Sequence, residues 1–103
     1  MGTQVIVSGT GPVWPDGSCP DDAATQARRC FDIIEVALTE AGATLADVVR
    51  TRMYLTSVGD AQAVGAVHGE LFGQIRPAAT MVIVAGLVDM RWKVEIEADA
   101  LID

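Results

Sequence analysis

VEIEADAL, residues Val94–Leu101, alternates without a break. Successive side chains of a strand point to opposite faces, so Val94, Ile96 and Ala98 make one side apolar and Glu95, Glu97 and Asp99 make the other acidic. Such a strand belongs in a sheet that is covered on one face and open on the other. The rest of the chain must supply the cover.

Two segments fit that role. Asp21 and Asp22 can cap a helix and place negative charge at its positive end. From there Ala23, Ala27, Cys30/Phe31, Ile34, Ala37/Leu38 and Ala41 recur at steps of three and four, and Gly42 is the expected stop. A second helix runs from about Asp60 to Phe72, with Val64, Val67/His68 and Leu71/Phe72 aligned and Gly73 at its end. Gly65 and Gly69 each cost it about 1 kcal/mol relative to alanine, which predicts close packing there.

Further strands are read at Gln4–Ser8, Val48–Thr56 and Thr80–Val84. In Val48–Thr56 the pattern places Val49, Thr51, Met53 and Leu55 inward, and Arg50, Arg52 and Tyr54 outward. Trp14–Ser18 (WPDGS) is turn chemistry. The expected class is α/β, an α+β sandwich: a mixed sheet with two helices on one face, in the order β-β-α-β-α-β-β, as a single domain over 1–103.

The chain has 103 residues, half of them apolar. A domain so short buries only about two-thirds of its unfolded surface by itself. Other copies of the chain are therefore expected to cover part of it. The formal charge is −7, from 14 acidic and 7 basic residues, with Lys93 the only lysine. Nucleic-acid binders need clustered cations against phosphate, so a polynucleotide partner is not expected. No apolar run approaches the roughly 20 residues that span a bilayer. Cys19 and Cys30 lack ligand spacing and read as reduced thiols, and with no basic leader region in MGTQVI the expected location is cytoplasmic.

The stretches VSGTGPVWPDG, LTEAGATLADVVRTRMYLT, VHGELFG, RPAAT and VEIEADAL, taken together and in this order, resemble the RidA/YjgF family over nearly the whole chain. That resemblance implies the chorismate mutase-like YjgF fold, a homotrimer with helices outside a central barrel, and a small-molecule cleft at each subunit interface. It implies hydrolysis of an imine or enamine to a keto acid and ammonia. A glycine amide of the SG turn touches the ligand, the first glutamate of EIEA positions water, and an arginine in a P-A-R-[ST] pattern grips a carboxylate. These positions are Gly9, Glu95 and Ala79 here; the cysteine often found two residues after the arginine is Met81, and the family's N-terminal G-P-Y segment has no counterpart. A bidentate arginine–carboxylate contact is worth roughly 1.5–3 kcal/mol, or about one to two decades of affinity. Alanine cannot supply it.

Candidate site residues are thus Glu95 for catalysis and Gly9, Ala79, Met81 and Arg76 for ligand binding. Arg76 is the nearest cation to Ala79, although three residues of extended chain span about 10 Å and reverse the face. An anchor recruited elsewhere, such as a neighbouring subunit's Arg52 or Arg91, would restore an active 2-imino-acid deaminase. The first reading is a divergent member that binds a small metabolite in the cleft, or hydrolyses an imine there without the usual anchor; that deaminase is the second, and an endoribonuclease activity is the third, disfavoured by charge. Three carboxylates at period two would repel and raise one pKa unless Arg50 and Arg52 pair with Glu97 and Asp99. His68 is the only histidine; without a second ligand it reads as a packed residue, and neither metal nor cofactor is expected.

Overall fold

β4 (Val94–Ile102) lies between β1 (Thr3–Thr10) and β2 (Val48–Leu55), antiparallel to both, and β3 (Ala78–Ile83) joins the far side of β2 in parallel. Helix α1 (Ala23–Glu40) links β1 to β2, and α2 (Ala61–Phe72) makes the crossover that a parallel β2–β3 pair requires. This computed structural model describes residues 2–103. Met1, the first residue of the expected domain, lies outside them.

The apolar side of β4 is buried throughout: Val94, Ile96, Ala98 and Ala100 are essentially inaccessible. Ala27, Cys30, Phe31, Ile34 and Leu38 of α1 close over it, with Val64, Val67 and Phe72 of α2 and Met53 and Leu55 of β2. Each fully buried large side chain contributes about 1.5–3 kcal/mol. Phe31 and Phe72 meet edge to face at 5.5 Å and fill the angle between the helices. The Arg28–Glu70 pair, 2.8 Å, ties the same helices outside.

Caps follow the sequence. The Asp22 carboxylate accepts from the Thr25 N–H at 2.9 Å. At the other end Gly42 takes φ 86°, Ala43 N–H donates to the Leu38 carbonyl at 2.8 Å and Gly42 N–H to Thr39 at 3.0 Å. That is a Schellman ending, which glycine adopts without steric cost.

Three local expectations need correction. One strand, not two, precedes α1 among the described residues. Residues 11–22 carry Pro12, Pro15 and Pro20, which have no N–H for a ladder. The Trp14–Ser18 segment instead folds on itself, with Gly17 N–H donating to Trp14 at 2.8 Å and Trp14 N–H to Ser18 at 2.9 Å. Next, Val49 is exposed and Val48 is buried. Val48 pairs with Ala100 but Arg50 pairs with Asp99, so one extra residue of β2 bulges and displaces Val49 from the alternation. Finally, Gly65 and Gly69 face open space rather than a close neighbour within the chain.

Gly42 has no atom near the place of a Cβ, so its substitution tests backbone conformation alone. Gly42→Ala is expected to lower the unfolding free energy by about 1 kcal/mol, measured by urea denaturation, with an unchanged m-value.

Candidate functional site on the open sheet face

The ladder between β1 and β4 slips by one residue between Val7/Ala98 and Thr10/Ile96. Ser8 and Gly9 therefore share a bulge opposite Glu97. Thr10 Oγ1 closes it by donating to the Ser8 carbonyl at 2.9 Å, and the Cys30 thiol reaches the Thr10 carbonyl at 3.3 Å. Burial pushes that thiol up to about 12, so Cys30 is a core group tying α1 to the bulge, not a nucleophile.

The bulge gives Gly9 a particular neighbour. A Cβ on Gly9 would fall on the Glu95 carboxylate, which lies in the space a side chain would take. Gly11 plays the same part for the Trp92 ring. Two residues named from the sequence, Gly9 and Glu95, are thus brought together.

The three carboxylates of β4 meet different fates. Arg52 Nη1 lies 3.3 Å from Glu97 and 3.7 Å from Asp99. The Tyr54 hydroxyl donates to the same Glu97 oxygen at 2.8 Å, and this bond raises the phenol above its ordinary pKa. Arg52 alone makes both ion pairs; Arg50 makes none among the described residues. Nor does Glu95. The paired side chains are partly exposed and the pairs contribute at most about 1 kcal/mol to stability. Their larger effect is on charge, since they spend Arg52 on Glu97 and Asp99 and leave Glu95 without a cation.

Ala79, Met81 and Arg76 do not join this group within one chain. Ala79 pairs with Thr51 and Met81 with Met53, which puts both on the helix side, where Met81 packs against the core. Glu95 pairs with Tyr54, and Tyr54 with Val82, on the opposite side. Arg76 precedes β3 at φ 58°, its N–H donating to the Phe72 carbonyl at 2.8 Å. Ala78 is level with Arg50 and Val82 with Tyr54, so Arg76 stands six residues, about 20 Å of strand, from the row of Glu95.

Arg91, named as a possible anchor, is engaged within the chain, and so is Arg29. Arg91 donates to both Asp89 oxygens, at 2.7 and 3.1 Å, and to the Gly17 carbonyl at 2.9 Å; this holds the Asp89 carboxyl down at about 2. Arg29 donates to the Val13 carbonyl at 3.0 Å and lies 4.2 Å over the Trp14 ring.

A cavity of about 320 Å³ opens beyond the end of β2, lined by Thr56, Ala85, Leu87, Met90 and Trp92 among others. Its one carboxylate, Asp89, is held by Arg91, and neither Gly9 nor Glu95 reaches it. The chemistry therefore points to the sheet face.

Sequence reasoning missed Gln26. Fully buried on α1, its Nε2 donates to the Pro20 and Arg91 carbonyls at 2.7 and 3.0 Å, and its Oε1 accepts from Lys93 N–H at 2.7 Å. It staples the loop after β1 to the residues leading into β4. The only signal was a polar amide beside the apolar stripe.

His68 is packed, as its isolation predicted. Nε2 lies 2.8 Å from Thr51 Oγ1, and the ring stacks at 4.8 Å on Phe72. Among the described residues no cluster could hold a metal ion, and no helix is long and apolar enough to cross a membrane.

The sequence model of the family described as Endoribonuclease L-PSP matches residues 1–102. The chain belongs to this family. A Mycobacterium tuberculosis member of the YjgF/YER057c/UK114 family superposes with a TM-score of 0.89 at 47% identity, over 99% of this chain and 81% of that one. The Escherichia coli 2-iminobutanoate/2-iminopropanoate deaminase is 34% identical over 98% of this chain and 81% of its own length. An uncharacterized Streptomyces coelicolor protein is 36% identical over 96% and 75%. The mixed sheet with helices on one face is the fold of these L-PSP and YjgF relatives.

Two tests follow from this geometry. Gly9→Ala places its methyl where the Glu95 carboxylate lies; because a flexible side chain can move aside, stability should change by less than about 1 kcal/mol while a crystal structure shows Glu95 displaced. Burial holds His68 below its ordinary value of 6.5. A depressed folded pKa means the unfolded chain protonates first, so stability should fall as pH drops through 6.5. Urea midpoints between pH 7 and 5 should decline less steeply in His68→Gln.

Proposed function

We propose that the chain assembles as a homotrimer and binds a small imine or enamine in a cleft between subunits, where Glu95 orients the water that hydrolyses it. The observation that carries this reading is the free Glu95 carboxylate seated over Gly9 on an open sheet face. Water adds to the C=N carbon as Glu95 takes one of its protons and hands it to the nitrogen. The hydroxyl of the resulting carbinolamine then passes its proton to the nitrogen by way of Glu95, the C–N bond breaks as the C=O bond forms, and a carbonyl compound and ammonia leave. The Escherichia coli relative is a 2-iminobutanoate/2-iminopropanoate deaminase.

The assembly has two supports. Ile6, Val82 and Leu101 stand 68%, 41% and 51% exposed on the open side, an unusual load of bare apolar surface for a small monomer. Moreover, the Ala79 and Glu95 positions lie on opposite sheet faces with β2 between them. A small ligand touching both would bridge two chains. Ala79 gives no grip on a carboxylate, so the site is a divergent one. A ribonuclease reading fits poorly with a chain of charge −7.

Light scattering should give three times the chain mass of 10.8 kDa; a monomer would remove the interface site. With imines generated in situ by an amino-acid oxidase, Glu95→Gln should slow hydrolysis about 10²–10⁴-fold, the usual share of a proton-transfer group. Ala79→Arg should raise kcat/KM for 2-imino acids by about ten- to a hundredfold. Keto-acid release unaffected by Glu95→Gln would remove the glutamate from the mechanism.

A further inference from the structure

We infer that the Gly9–Glu95–Tyr54 corner selects an iminium cation lacking a carboxylate, of the kind formed from a simple primary amine, over the anion-bearing 2-imino acids. The inference rests on reading that corner as the ligand site, and it names the substrate class.

The open face carries Arg50 and Arg52 against Glu95, Glu97 and Asp99. Arg52 is spent on Glu97 and Asp99, and Arg50 stands level with Asp99, four residues along β2 from Tyr54. The charged group left free at the Gly9 bulge is therefore an anion. A carboxylate ligand placed there would meet Glu95 without a cation to offset it, whereas an iminium N–H could donate to it in a charge-assisted bond.

The second observation is the neighbour in register. Tyr54 sits directly across from Glu95 on the same face, where paired side chains lie about 5 Å apart. Its hydroxyl is held by Glu97, away from Glu95, which fixes the ring and adds electron density to it as the phenol donates to a carboxylate. An aromatic face beside an unpaired carboxylate is a cation's environment. Val82, next in the row, offers aliphatic contact for a short alkyl chain. On the other side the carboxylate rests over Gly9, in the space a side chain would take.

The test uses stable probes first. Propylammonium and propionate are titrated at equal ionic strength while the Gly9, Tyr54 and Glu95 amide resonances are followed. Propylammonium should bind at least tenfold more tightly. Glu95→Gln should abolish the preference, and Tyr54→Leu should weaken cation binding about three- to tenfold while Tyr54→Phe retains it. Equal or tighter binding of propionate, or no saturable shift with propylammonium, overturns the inference. Turnover is then compared for the imine made from propylamine by an amine oxidase and for 2-iminobutanoate made by an amino-acid oxidase. A kcat/KM at least tenfold higher for the former supports the inference. Preference for 2-iminobutanoate overturns it while leaving the hydrolase reading intact. Selective cation binding with neither imine hydrolysed upholds the selectivity and removes the hydrolase.

Discussion

Burial of one side of β4 beneath α1 and α2 is the constraint on which everything else depends. Val94, Ile96, Ala98 and Ala100 lose all contact with water. Because side chains alternate, placing them inward forces Glu95, Glu97 and Asp99 outward. A slip of one residue would bury three carboxylates, each at a cost of several kcal/mol or more without a partner. The register of the central strand, and with it the location of the site, is set by that penalty.

Two bulges then adjust a sheet that would otherwise be regular. At Ser8–Gly9 the extra residue brings a side-chain-free position against the Glu95 carboxylate. At Val49 the extra residue moves β2 so that Arg52 pairs with Glu97 and lies within reach of Asp99. One arginine thereby pairs with two carboxylates and leaves the third without a cation. Which of three similar groups is paired and which stays free follows from where a single guanidinium falls.

Much of this was legible in the residues. The alternation of Val94–Ala98, the three- and four-residue steps of α1 and the glycine at 42 each follow from local geometry, and the structure keeps them. What pattern could not see were departures that depend on a partner strand. Val49 looked inward because nothing in Val48–Thr56 marks the bulge; the extra residue exists only relative to Ala100 and Asp99. Gln26 gave no sign of its role because its three partners lie in loops up to 67 residues away.

The sequence by itself determined the fold class, since periodicity is a property of one strand or helix at a time, and its motifs carried the family resemblance that singled out Gly9 and Glu95. It also set the absence of an arginine at position 79. Only the tertiary structure decided that Glu95 stays free while Glu97 and Asp99 do not, and that Ala79 and Arg76 lie apart from it. Those outcomes turn on distances between strands that meet after folding, and a carboxylate's chemistry depends on the charge a few ångströms away rather than on its neighbours along the chain.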